Sequence, residues 1–261
     1  PHLLEEADFR KMFVAEAGLA ARIRHPNAVG VLDIDEEEGE LLMVMPYVEG
    51  GSLSDLLVES GERGRRLPSQ VTLKIIVDAA RGLHAAHELV GDDGRSLGIV
   101  HRDVSPHNVL VGLEGRAAIV DFGVAKAASV ESTRTATDVL KGKVAYMAPE
   151  YVKTKSADRA IDVFSLGVVA WEALANRRLF RGDSDLETMQ TLLSPEPAPM
   201  LGEVVSIDAT VAAVVARALA KDPRKRFPTA LAFADALEAA ARTADSLATE
   251  GEVAGLVRGL L

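Results

Sequence analysis

Apolar residues recur at helical spacing over residues 5–24 and predict one helix near the start of the chain. The positions expected on its inner face are Phe9, Phe13, Ala17, Ala20 and Ile23. We expect the helix to end near His25, because Pro26 disfavours helical geometry in the residue before it. Two β-prone runs follow at residues 28–34 and 41–48 and predict an antiparallel pair of strands. Gly50 and Gly51 are expected to break the second strand.

From residue 52 onward the pattern becomes mainly helical. Ser52 is the predicted N-cap of the helix that begins this region. The apolar spacing predicts further helices at residues 68–88, 160–175, 208–220 and 229–241, and one more within residues 243–261. Residues 90–98 are rich in Gly and Asp and indicate a loop. The C-terminal half is therefore predicted to be a helix bundle.

Composition excludes several classes of protein. The 261 residues carry a net charge of -10, which disfavours nucleic-acid binding because phosphate contacts need a basic surface. The absence of cysteine excludes disulfides and thiolate metal sites and is compatible with a reducing cytosol. The longest apolar runs, such as residues 163–174, fall short of the roughly 20 residues that a membrane span needs. The chain begins with Pro1 and is interpreted as a fragment or processed piece.

Three motifs carry the chemistry. Residues 101–108 read HRDVSPHN, residues 121–123 read DFG and residues 148–150 read APE. At this spacing they resemble the catalytic loop, the metal-binding turn and the end of the activation segment of protein kinases. The resemblance implies an α+β, protein-kinase-like fold. In that fold residues 1–48 are a partial N-lobe, residues 46–51 the hinge, residues 49–242 a mostly helical C-lobe, and residues 243–261 a C-terminal extension.

The resemblance also assigns roles within these motifs. Phosphoryl transfer depends on positioning and charge neutralisation more than on covalent help. Asp103 would orient the attacking hydroxyl and accept its proton, while Asn108 and Asp121 would hold Mg²⁺, with Mn²⁺ as an alternative metal. An isolated aspartate at either position would more simply be a surface turn residue. His101 is assigned a packing role.

ATP is the implied cosubstrate, and the run at residues 42–51 resembles the strand and hinge beside its adenine ring. Backbone groups near Pro46 and Val48 would bind adenine, Met45 would occupy the gatekeeper position and Leu110 would form the pocket floor. Glu16, in the first helix, resembles the glutamate that pairs with a strand lysine in the family. The alternative for Glu16 is an ordinary solvated side chain.

Further residues are assigned structural and regulatory roles by the same resemblance. Asp162 would brace the catalytic loop, and Glu150 with Arg226 would form the ion pair that ties the activation segment to the bundle. Arg102 would bind a phosphorylated residue of that segment, for which Thr135 and Thr137 are the candidates. A plain surface arginine is the alternative reading of Arg102.

Two positions depart together from the usual Ser/Thr-kinase pattern. Ser105 stands where the catalytic loop normally has lysine, and Lys143 stands where the segment before APE normally has threonine. We hypothesise that Lys143 restores the positive charge lost at Ser105, so both are counted as catalytic candidates. The alternative is that Lys143 is exposed and activity is weakened.

A third departure concerns the start of the chain. No glycine-rich loop or strand lysine precedes Glu16, and no P-loop replaces them. The 261 residues alone are therefore expected to bind nucleotide poorly.

The sequence thus predicts an ATP-dependent protein serine/threonine kinase of bacterial, myxobacterial type. A pseudokinase that acts as a binding module is the first alternative, and a small-molecule phosphotransferase of the aminoglycoside or choline type is the second. The expected partners are ATP and a protein substrate, with a homodimer for autophosphorylation as a further candidate and no nucleic-acid or membrane contact. The expected location is cytoplasmic, with any membrane anchor outside this segment.

Overall fold

The computed structural model describes residues 10, 14, 17–37, 40–122 and 143–261. Within them the chain order of helices and strands is β1 Asp33–Glu37, β2 Glu40–Val44, β3 Gly50–Ser52, α1 Leu53–Glu62, α2 Ser69–His87, β4 Val109–Gly112, β5 Ala117–Ile119, α3 Pro149–Thr154, α4 Arg159–Ala175, α5 Asp185–Leu193, α6 Ala209–Ala218, α7 Ala230–Thr243 and α8 Glu250–Leu260. Short 3₁₀ turns lie at Pro106–Asn108, Val144–Tyr146, Leu201–Glu203 and Pro223–Lys225.

The first helix and the first pair of strands follow the predicted order with shifted bounds. Residues 10, 14 and 17–20 are helical, and β1 pairs with β2 in antiparallel register. The prediction of a strand over residues 28–34 is wrong for residues 28–32, which precede the hairpin. The Val29 amide instead donates to the Ile119 carbonyl over 2.9 Å, so Ala28 and Val29 are buried alongside β5, whereas Leu32 is exposed.

The predicted break at Gly50 and Gly51 is also wrong. Both glycines belong to β3, which pairs antiparallel with β4, and β4 pairs antiparallel with β5. A Cβ atom at Gly50 would lie 2.1 Å from the Val111 carbonyl oxygen. Glycine is therefore needed here because the two backbones approach closely, not because the strand ends.

The helices follow the sequence pattern closely. Ser52 caps α1 as predicted: its hydroxyl accepts from the Asp55 amide, and the Asp55 carboxylate accepts from the Ser52 amide. The helices predicted at residues 68–88, 160–175, 208–220 and 229–241 are confirmed as α2, α4, α6 and α7, and α8 lies within the predicted residues 243–261. The short helices α3 and α5 were not predicted.

Helix α4 forms the centre of the helical half. Residues 161–175 are buried throughout, as expected for a helix packed on all sides, and α2 packs against both α4 and α7. The largest fully buried side chains include Trp171 and Phe164 of α4 and Phe233 of α7. This packing fixes the N-terminal turn of α4 beneath the loop at residues 101–108. No helix in the described part of the chain has the length and hydropathy to cross a bilayer.

Candidate active site

The loop at residues 101–108 is anchored by one buried carboxylate. The Asp162 carboxylate, in the first turn of α4, accepts hydrogen bonds from the backbone amides of His101 over 2.8 Å and Arg102 over 2.9 Å. His87 Nε2, at the end of α2, lies 2.8 Å from the same carboxylate. Burial alone would raise the pKa of Asp162, but the hydrogen bond and charge of His87 hold that pKa below its ordinary value. Asp162 therefore joins two helices to the loop as a stable anion.

Two residues of the motifs adopt the left-handed backbone conformation. Arg102 has a φ of 62° and Asp121 has a φ of 59°. Such a conformation costs an L-residue about 1–2 kcal/mol, so the surrounding hydrogen bonds must hold it. At Arg102 it turns two successive amides toward Asp162. The Arg102 Nε atom is buried and has no hydrogen-bond partner within the described ranges.

His101 holds the loop from inside, which agrees with its predicted packing role. Its Nδ1 accepts from the Asp103 amide over 3.2 Å, so its Nε2 must carry the proton and donate to the Val120 carbonyl over 2.8 Å. Burial lowers the pKa of His101, which favours this neutral form. The imidazole also packs against the Phe122 ring at a centroid distance of 5.0 Å.

The three polar residues at the centre of the motifs are linked through short contacts. The Asn108 side-chain amide donates to the Asp103 carbonyl over 2.8 Å. The Val120 amide, one residue before Asp121, donates to the Asn108 carbonyl over 3.0 Å. These bonds bring the backbones at Asp103, Asn108 and Asp121 to one place, with Asn108 buried and Asp121 exposed.

Lys143 contacts the predicted catalytic aspartate directly. Its Nζ lies 2.7 Å from Asp103 Oδ2, and the two side chains are 37% and 14% exposed. The Ser105 hydroxyl is buried and has no hydrogen-bond partner among the residues that the structure describes. Lys143 therefore forms an ion pair with Asp103, two residues before Ser105 in the loop.

An apolar surface lies beside this polar centre. Val29, Ala118 and Val120 form a small buried cluster, separate from the main core. The half-buried side chains of Met45, Val48 and Leu110 pack against it. Pro46 is exposed. Three of the four predicted adenine-pocket residues, Met45, Val48 and Leu110, thus pack against one cluster, and Val120 of that cluster immediately precedes Asp121.

Glu150 and Arg226 form a bidentate ion pair. The two Arg226 guanidinium nitrogens donate to the Glu150 carboxylate over 2.6 and 2.8 Å, and the Arg226 side chain is fully buried. Arg226 also donates to the Ala160 carbonyl over 2.9 Å. The start of α3 is therefore tied to the helical half next to the first turn of α4.

Three of the predicted site residues lie outside the described residues: Glu16, Thr135 and Thr137. Sequence reasoning missed His87 and the group formed by Tyr146, Glu172 and Arg178. The buried Glu172 carboxylate accepts from the Tyr146 hydroxyl over 2.8 Å and from Arg178 over 3.1 Å. No local motif marks these residues, because the His87–Asp162 and Tyr146–Glu172 contacts join residues 75 and 26 positions apart.

Comparison with known proteins identifies relatives among the protein kinases. Residues 3–237 match the family model described as the protein kinase domain. The chain is 42% identical over 238 residues to the tyrosine-protein kinase MasK of Myxococcus xanthus, covering 91% of the chain and 37% of that protein. It is 34% identical over 232 residues to the serine/threonine-protein kinase PknB of Mycobacterium leprae, covering 87% of the chain and 35% of that protein.

Solved structures give the same result. The crystal structure of the PknI kinase domain of Mycobacterium tuberculosis, C20A mutant, aligns with a TM-score of 0.67 at 28% identity, covering 91% of this chain and 81% of that one. The predicted protein-kinase-like fold is thereby confirmed. The chain spans little more than a third of the curated relatives named above. Since the family model covers most of its length, the chain belongs to the protein kinase domain family, with bacterial members among its relatives.

Proposed function

We propose that this chain is the catalytic domain of an ATP-dependent protein kinase that transfers the γ-phosphate to a serine or threonine hydroxyl of a protein. The observation that carries the proposal is the hydrogen-bonded link between Asp103, Asn108 and the residue before Asp121. It supports the assignment of a base and of two oxygen ligands of a metal to one site.

Asp103 is the residue we assign to the acceptor hydroxyl. Its carboxylate is mostly buried and lies 2.7 Å from the Lys143 ammonium. The loop that carries it is fixed by Asp162 and His101, so the carboxylate is held in place before substrate binds. Asp103 would orient the hydroxyl and accept its proton during transfer.

Asn108 and Asp121 are the residues we assign to a divalent cation. Because the Asn108 side-chain amide nitrogen donates to the Asp103 carbonyl, the amide oxygen is turned away from that carbonyl and is available as a ligand. No group of three or more His, Cys, Asp or Glu able to hold a metal lies in the described ranges. One amide and one carboxylate fit Mg²⁺, which takes its other ligands from water and substrate phosphates. When bound, the metal neutralises phosphate charge.

Met45, Val48 and Leu110 are the residues we assign to the adenine ring. They form an apolar surface on the Val29, Ala118 and Val120 cluster, close in sequence to both Asn108 and Asp121. A flat apolar ring would bury these side chains while the phosphates reach the polar centre. This arrangement supports ATP as the phosphate donor.

A phosphate-transfer assay tests both the activity and the type of residue that accepts the phosphate. Full-length protein and the 261-residue chain are incubated with γ-labelled ATP and a mixed peptide library, with Mg²⁺, with Mn²⁺ or with a chelator. We expect labelled phosphoserine or phosphothreonine with metal and none with chelator. Phosphotyrosine alone would correct the acceptor, an alternative raised by the printed name of the MasK relative. No transfer by either protein would contradict the proposed activity.

We expect Lys143→Ala to lower kcat about 10- to 100-fold, because its positive charge lies at the proposed base, where it would also stabilise the transferring phosphate. Lys153→Ala is the matched control, since Lys153 is an exposed lysine on α3. The measurement is steady-state transfer to a peptide at saturating ATP. Equal turnover in Lys143→Ala and wild type would exclude a catalytic role for this lysine.

A further inference from the structure

A cavity lies beside the catalytic loop, and none of Met45, Val48 and Leu110 lines it. It has a volume of about 250 Å³ and is formed by α1, the Pro106–Asn108 turn and the C-terminal end of α4. His107, in its wall, immediately precedes Asn108. A protein segment that presents a hydroxyl to Asp103 would therefore pass close to this cavity.

The C-terminal end of α4 directs two arginines into the cavity wall. Asn176 ends α4 in the left-handed conformation, with a φ of 52°, and Arg177 and Arg178 follow it. Both arginines line the cavity and both are exposed. The Arg177 guanidinium lies 5.4 Å from the centroid of the buried Trp171 ring, which restricts its position.

The charge of only one of these arginines is compensated. Arg178 donates to the Glu172 carboxylate over 3.1 Å, and that carboxylate also accepts from the Tyr146 hydroxyl and the Leu179 amide. Glu172 is 6% exposed and is thus unavailable to a substrate. Arg177 has no carboxylate within 4.0 Å in the part of the chain that the structure describes.

Two acidic residues of the neighbouring helix have polar partners of their own. On α1, the Asp55 carboxylate accepts from the Ser52 amide and hydroxyl, and Glu59 lies 3.8 Å from Arg63. The α1 residues in the cavity wall are Ser54, Leu57 and Val58, none of them charged. The lining residues include two arginines and one glutamate, so without counting His107 the cavity wall carries a net charge of +1 in a chain whose net charge is -10.

We infer that this cavity is a specificity site for an acidic side chain of the protein substrate, close in sequence to the accepting hydroxyl, with Arg177 as the residue that recognises it. The inference rests on the proposed kinase function and adds the class of substrate. A carboxylate entering the cavity would meet an uncompensated guanidinium, while a lysine or arginine there would meet a like charge. Leu57 and Val58 would pack against the aliphatic part of the side chain.

The test compares peptide pairs that differ only by Asp or Asn, scanned over about four positions on each side of the acceptor, because an extended chain advances about 3.3–3.6 Å per residue. We expect wild type to prefer the Asp peptide at one position by about two- to fivefold in kcat/KM. Arg177→Ala should bring that ratio close to one, and Arg177→Lys should retain most of it. Arg258→Ala, which removes an exposed arginine on α8, is the matched control and should leave the ratio unchanged.

Binding without chemistry separates this inference from the kinase proposal. Fluorescently labelled Asp and Asn peptides with Ala in place of the acceptor are titrated into wild type and the three variants, and anisotropy reports affinity. The Asp preference should appear here too and should shrink as salt rises from about 0.05 to about 0.5 M. Equal binding of both peptides, or a preference that survives Arg177→Ala, would overturn the inference even if phosphate transfer occurs. An Arg177-dependent preference without transfer would support the cavity and contradict the kinase function.

Discussion

Asp162→Ala is expected to lower the free energy of unfolding by about 3–5 kcal/mol. The substitution removes the acceptor of the His101 and Arg102 amides and leaves His87 without its carboxylate, all in a fully buried position. Buried donors without a partner each cost about 1–3 kcal/mol, which is consistent with this total. The measurement is urea unfolding followed by circular dichroism, with the slope checked for two-state behaviour.

The effect of Asp162→Ala should depend on pH in one direction. The folded-state pKa of Asp162 is below its unfolded value, so its contribution to stability is complete above the unfolded pKa of about 3.9 and is lost as pH falls through the folded pKa. The difference between wild type and variant should therefore be constant near neutral pH and shrink in strong acid. A difference that grows as pH falls below about 4 would contradict the ionised, hydrogen-bonded state assigned here.

Asp158→Ala is the control on the same helix. Asp158 caps α4 through a 2.6 Å bond from the Ala160 amide to its carboxylate and is exposed, so its loss should cost only about 1 kcal/mol. A similar cost for both variants would show that Asp162 acts as an ordinary first-turn acid. Asp162→Asn should fall between them, because an amide oxygen can still accept but the negative charge is gone.

The success of the sequence predictions depends on how local each signal is. The bounds of α2, α4 and α7 were predicted within a few residues because apolar spacing along one segment determines a buried face. The short helices α3 and α5 carry too few turns for such a pattern. The prediction of a strand at residues 28–32 was wrong because Val29 pairs with β5, which lies far along the chain. A local hairpin does not include Val29.

In the candidate site, too, local signals could be found in the sequence and long-range contacts could not. Asp103, Asn108 and Asp121 were identified from motif spacing, and the structure ties their backbones together. His87 could not be found in this way, because it lies 75 residues from Asp162 and its role exists only once α2 and α4 pack together. The unusual pair Ser105 and Lys143 was noticed in the sequence, but only the structure could identify Asp103 as the residue that Lys143 contacts.

Asp103→Asn is expected to lower kcat for phosphate transfer by about 10²–10⁴-fold. The amide keeps the size and shape of the side chain but cannot accept the hydroxyl proton, and the ion pair with Lys143 is lost. Because Asp103 takes no part in the apolar surface at Met45, Val48 and Leu110, the KM for ATP should change little. The measurement is single-turnover and steady-state transfer by the full-length protein, with nucleotide affinity measured separately by calorimetry.

Asp92→Asn is the matched control, since Asp92 has a side chain that is 96% exposed and pairs with Arg22, which has no proposed role in transfer. It should leave kcat unchanged. The double variant Asp103→Asn with Lys143→Ala should be scarcely slower than Asp103→Asn alone, because residues that act as a unit are not additive. If Asp103→Asn retained more than about a tenth of wild-type kcat, or if the two losses multiplied in the double variant, Asp103 would not be the base that Lys143 serves.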